Sequence, residues 1–212
     1  MFKDINKAIK ILVAVDFFYN SAFASFAPIF AIFITSKIQG GSAIVAGFAT
    51  AMFWLAKSLV QLPIARFLDK TDGEQDDFWA MFFGYFLSSF VPLAYLFVSQ
   101  PWHLYVLQAF FGFLMAWAAP AWYGIFTRHV DKWRVSFEWS MESVFAIGLA
   151  TAGATALGGY VVDRFGFDVL FIASGCISLF ASGMLLFLKK HLSSRVVSQK
   201  IMPEKRHYNR RP

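Results

Sequence analysis

Three ionisable side chains stand inside long apolar runs of this chain: Asp16, Lys57 and Glu142. An unpaired charge at the centre of a membrane span costs about 2.5–3.5 kcal/mol on an insertion scale, so each needs a purpose or a partner. Asp16 lies about 10 Å into its run, and Lys57 about 13 Å from Arg66 at the cytoplasmic end of the next, at 1.5 Å per helical residue. Similar depths leave two readings open. The two charges pair and fix helix register, or they share a water-filled cavity where they meet a solute or a proton. Lys57 could also snorkel on the lipid side. Asn20, four residues after Asp16, with Ser21 and Ser25, gives that helix a polar stripe. Gln108, Gly112, Ala116 and Pro120 repeat every four residues further on, with Trp117 and Trp122 beside them. Asp16, Asn20, Lys57, Gln108, Trp117 and Glu142 are the candidate substrate and coupling residues. Glu138, at the start of its helix, is explained by the helix dipole, whereas the deeper Glu142 is not.

Catalytic chemistry has little to build on. The four histidines have no metal-ligand spacing, the single cysteine, Cys176, cannot form an intrachain disulfide, and no HExxH, Gly-rich phosphate loop or nucleophile elbow occurs. No cofactor, no metal and no enzyme activity are expected.

The elements that must hold these residues are membrane helices. The 212 residues are 58% hydrophobic and 15% charged, with a mean hydropathy of +0.56, against about 25% charged residues in a soluble domain. Six apolar runs, 9–35, 43–68, 78–98, 102–126, 137–162 and 167–188, each reach the roughly 20 residues a span needs, and lipid requires all to be helical. The fold class is therefore all-α, a six-helix transmembrane domain over 1–190 followed by a basic, disordered tail over 191–212. Pro28, Pro63, Pro92 and Pro120 fall within or near the ends of runs and predict kinks. Lys3, Lys7, Lys10, Arg66, Lys70, Arg128, Lys132, Arg134, Lys189 and Lys190 gather on one side, and only Lys37 and Arg164 on the other. The positive-inside rule puts both termini in the cytoplasm. The tail reads as a stop beside anionic lipid rather than a nucleic-acid arm.

Small residues mark close helix contacts. Ala146, Ala150, Ala154 and Gly158 form one row, Gly148, Ala152 and Ala156 a second, and Ala43, Gly47 and Ala51 a third.

The run Ala65-Arg66-Phe67-Leu68-Asp69-Lys70-Thr71-Asp72-Gly73 resembles the Gly-x-x-x-Asp-Arg-x-Gly loop that joins the second and third spans of the major facilitator superfamily. Alanine replaces the first glycine, and the basic residues that follow in the family are acidic here, Glu74 to Asp77. Gln108-Ala-Phe-Phe-Gly112-Phe-Leu-Met-Ala116 is similar to the family's fourth-span pattern without its arginine. Gly158 to Phe167 looks like the fifth-to-sixth-span connection. The resemblance implies half of a major facilitator fold, two inverted three-helix repeats, in the bacterial cytoplasmic membrane. Transport by alternating access then needs a second half, which a homodimer would supply, with Gly47, Ala51, Ala146, Ala150, Ala154 and Gly158 at its interface. It implies that the first and fourth spans line a cavity for a small solute, with protons as one coupling option through Asp16 or Glu142. Asp69 and Lys70 would form the gating loop. A non-transporting scaffold or receptor on the same fold is the second reading.

Overall fold

Helices form wherever an apolar run is long, and two of them, α1 and α3, start on a side-chain cap. The computed structural model describes residues 5–70 and 74–192. Most of the basic tail and the middle of the candidate gating loop lie outside these residues. Helix α1 spans Lys7–Ala24, and the Asn6 side chain accepts the Ala8 N–H at 3.0 Å to start it. Pro28 ends it: a short 3₁₀ turn, Ala27–Ile29, intervenes before α2, Phe30–Lys37. Proline has no N–H to continue the ladder, so the first apolar run is a kinked pair rather than one rod.

Helix α3, Ala43–Leu68, starts on Ser42, whose hydroxyl accepts the Val45 N–H, and carries Pro63 inside it. Helix α4, Gln75–Ser88, opens with Asp76 and Asp77 in its first turn, where the dipole favours negative charge. It hands over at Pro92 to α5, Val91–Ala94, and a 3₁₀ turn, Tyr95–Phe97. Helix α6, Pro101–His129, starts on a proline and contains Pro120. It runs past the end expected at 126, so Arg128 and His129 belong to the helix and not to the loop. After α7, Val135–Met141, the backbone widens into a π-helix, Glu142–Leu149, and then continues as α8, Ala150–Leu188.

Five of these segments are long and apolar enough to cross a membrane. The last, Val135–His191, has 57 residues, about 85 Å of helix at 1.5 Å per residue and far more than a 30 Å hydrocarbon core. Gly166 breaks it, with φ +83° and ψ 173°. That conformation lies outside the helical region and is open to glycine at little cost. The expected connection between 162 and 167 thus becomes a break at one glycine, and helix persists almost up to it.

Helix α3 packs on α6, α1 on α8, and α4 between α6 and α8. The core divides into two layers along the bundle. One, with Leu12, Phe78, Trp122, Phe126 and Leu185, fills the end nearer residue 5. The other, with Phe26, Phe33, Tyr95, Leu104 and Phe171, fills the opposite end. The polar candidates lie toward the middle of the first layer.

Candidate functional site

Asp16 is buried on α1, and its Oδ1 accepts the Tyr85 hydroxyl of α4 at 2.9 Å. One turn further along both helices, Tyr19 and Ser88 hydroxyls meet at 2.6 Å. Both pairs are 69 residues apart. A constant offset means that α1 and α4 run parallel and in register. The Tyr19 and Tyr85 rings stack at 4.1 Å and 14°, which locks the phenol beside the carboxylate.

Asn20 reaches the other way. Its amide donates to the Ala146 carbonyl at 2.9 Å, inside the π-helix. A π-turn weakens the regular i→i+4 ladder, and a side chain from α1 fills the gap. The same segment brings Glu142 to the centre of the bundle. Glu142 is buried, near enough to Asp16 for the two charges to repel, and its Oε2 has no hydrogen-bond partner. Trp122 turns its indole N–H toward Asp16 without completing a well-formed hydrogen bond.

These side chains surround a cavity of ≈ 340 Å³. Asp16, Asn20, Tyr85 and Glu142 form its polar wall. Trp122, Trp139 and Tyr123 form an aromatic one, tied together by Phe126, which packs at 4.7 Å from the Trp122 ring and 4.5 Å from that of Trp139. Lys57 stands at the edge, half-buried, its ammonium 5.1 Å from the Trp54 ring and 5.9 Å from that of Phe53. Neither Asp16 nor Glu142 is within ion-pair distance of it. Asp16, Glu142 and Lys57 thus line one cavity without a salt bridge between the lysine and either acid.

The remaining candidates lie elsewhere. Gln108 is buried two turns beyond the cavity, with its Oε1 unpartnered. Trp117 lines a separate apolar groove with Phe83, Leu87 and Phe113. Asp69 and Lys70 are exposed at the end of α3. Asp69 borders a polar hollow with Asp77, Tyr123 and Arg128. The acids that replace the expected basic residues are themselves engaged: Arg128 pairs with Glu74 at 3.1 Å and with Asp77. His129 approaches Glu74 at 3.5 Å, and Asn6 donates to the His129 carbonyl. Sequence reasoning missed Tyr85, Arg128 and this knot. The one available signal was a lone basic residue at the end of the fourth run, opposite an acidic loop.

One expectation changes. Ala146, Ala150 and Gly158 are buried within the chain against α1, and Ala154 is half-buried. A Cβ at Gly158 would collide with the Ser25 backbone carbonyl, and Thr155 donates to the Ala24 carbonyl at 3.2 Å. Ala146, Ala150 and Gly158 thus serve packing within the chain, and Ala154 keeps a partly open face. The second row, Gly148, Ala152 and Ala156, is exposed. On α3, Gly47 is exposed with open space around it, and Ala51 is half-buried.

Among the described residues no group of three or more His, Cys, Asp and Glu side chains is arranged to hold a metal. Comparison with curated proteins and with solved structures gives no match. The family model described as Major Facilitator Superfamily matches residues 12–207. Membrane-length helices, a central polar cavity and a family match over nearly the whole chain agree: this integral membrane protein belongs to the major facilitator superfamily of transporters.

Proposed function

We propose that the chain forms one six-span half of a major facilitator transporter, that a second copy supplies the other half, and that the pair moves a small solute by alternating access. On this reading the non-helical Gly166 in the last long helix separates a fifth span from a sixth. Two inverted three-span repeats follow from that count in this family.

The observation that carries the reading is the cavity between the spans, with two acidic side chains facing it and one side open. Its rim is exposed: Tyr123 is 52% and Ile147 53% accessible. A half-site of this kind is closed by the opposite half, and rocking of one half against the other then switches access. Asp16 and Glu142 are the coupling carboxylates. They sit close together in a low-dielectric site, where binding one cation or one proton relieves their repulsion.

Uptake into proteoliposomes, driven by an inward or outward proton gradient and followed with a metabolite panel, tests the reading. Gradient-dependent uptake that disappears in Asp16→Asn is the expected result. No uptake of any solute by a folded protein would favour the scaffold reading, which the knotted Glu74–Arg128–Asp77 cluster at the gating loop supports.

A further inference from the structure

We propose that the cavity selects a monovalent organic cation with an apolar or aromatic body, an inference that rests on the transporter reading and names its substrate class. The argument comes from which polar groups are already engaged. Tyr85 spends its hydroxyl on Asp16, and Asn20 spends its amide on the Ala146 carbonyl. The Trp122 indole N–H is directed toward Asp16 without a completed hydrogen bond, so it is not aimed at the open part of the cavity. What remains free to meet a solute is the Glu142 carboxylate, the ring faces, and the Tyr123 and Ser143 hydroxyls, which can accept as well as donate; the Lys57 ammonium is the one charged donor, at the edge. Glu142 is 6% exposed, lines the cavity and leaves Oε2 unpartnered. A buried carboxylate oxygen without a partner is costly, and a cationic group is what satisfies it.

The opposite wall fits the same solute. Ring faces carry negative potential, and aromatic cages bind quaternary ammonium groups by that field. Trp122 and Trp139 meet at 6.0 Å and 67°, presenting a corner of two π-surfaces rather than a flat wall. The volume of ≈ 340 Å³ is at the small end of ligand sites. Two carboxyl groups against one ammonium make the site a better fit for a cation than for an anion. Lys57, held over Trp54 at the edge, repels a second cation and limits the solute to one. An anion would find that ammonium as its one charged donor, facing two carboxylates.

Binding to the full chain in lipid nanodiscs, read by quenching of tryptophan fluorescence, tests this. The probes are benzyltrimethylammonium, benzyl alcohol, phenylacetate and phenylalanine, which share a ring and differ in charge. Benzyltrimethylammonium binds at least tenfold more tightly than the other three, and Glu142→Gln removes most of that preference. Equal or tighter binding of phenylacetate, phenylalanine or the neutral alcohol by the unmutated protein overturns the proposal, whatever the variant does. Uptake of some other solute class in proteoliposomes, with no benzyltrimethylammonium binding, defeats this inference and leaves the transporter reading standing. Selective cation binding with no transport does the reverse.

Discussion

A carboxylate inside a bilayer is only as stable as the groups around it, and Asp16 has one strong donor, the Tyr85 hydroxyl. Tyr85→Phe removes that bond and keeps the ring that stacks on Tyr19. Interhelical hydrogen bonds in membranes are worth about 0.6 kcal/mol on average and up to about 1.7. This one ends on a carboxylate, so we expect a loss toward the upper figure, read as a lower unfolding midpoint in mild detergent. A loss larger than removal of Asp16 itself causes would show that the tyrosine supports something besides the carboxylate. Gly158 sets a second residue-scale test. Its missing Cβ lets α8 rest on the Ser25 carbonyl, whereas Gly153, on the same helix, has open space around it. Gly158→Ala should cost about 1–3 kcal/mol or more, the range for overpacking, and Gly153→Ala should cost nothing or stabilise the helix. Equal midpoints for the two variants would mean that α1 and α8 do not meet as closely as the geometry says. Asp16, Lys57 and Glu142 were legible from sequence because a charge in an apolar run stands out. Tyr85 was not: among so many phenylalanines a tyrosine reads as one more lipid-facing ring, and its partner is 69 residues away.

At the scale of elements, the apolar runs, the capping Asn6 and Ser42 and the prolines fixed where helices begin and bend. Which face of each helix is buried was a harder question. In water, buried and exposed faces differ in polarity. In lipid both are apolar, so a row of alanines looks the same whether it meets a neighbouring helix or another subunit. That is why Ala146, Ala150 and Gly158 were assigned to an outer face and lie against α1. The π-helix compounds the problem, because i→i+5 turns shift the register that an i, i+4 reading assumes. The ends of α4 and α6 give a further prediction. Arg128 joins them by pairing with Glu74 and Asp77. Arg128→Gln strands two carboxylates, both nearly buried, beside each other. Breaking a fully buried pair costs about 3–5 kcal/mol. Arg128 is 33% exposed and water can reach the acids, so about 2 kcal/mol is the expected loss. Arg128→Lys keeps the charge but cannot bridge both acids with one planar group. It should fall between the two in unfolding midpoint. A lysine variant as stable as the original would reduce the knot to a simple charge effect.

For the whole molecule, the decisive feature is the division of small residues into used and unused sets. Gly112 gives way to the Phe53 carbonyl of α3, and Gly158 to α1. Gly47, Gly153 and Gly159 have no atom near the place of a Cβ, and Gly148, Ala152 and Ala156 are exposed. Helix α3 is also the least buried of the membrane-length segments, at 11%. Close packing of small residues drives helix association in lipid, where the hydrophobic effect offers nothing, so on the proposed dimeric reading the unused rows are where a second copy would pack. If the copies are related by a twofold axis, α3 of one faces the exposed row of the other, and the reverse contact repeats it. Ala51 lies about 12 Å below the start of α3, and Ala156 about 15 Å from the Gly166 break, at 1.5 Å per residue. The two are therefore close to one depth. Chains carrying Ala51→Cys and chains carrying Ala156→Cys, both in a Cys176→Ser background, can be co-expressed and treated in native membranes with a short bis-maleimide. The mixture should give a covalent dimer in high yield, and either chain alone much less. Strong linking of the Ala51→Cys chain to itself would put α3 on the symmetry axis and exclude this pairing. Absence of any covalent dimer, with both cysteines reactive to a monofunctional maleimide, would mean that the open side of the cavity is closed by something other than a twin.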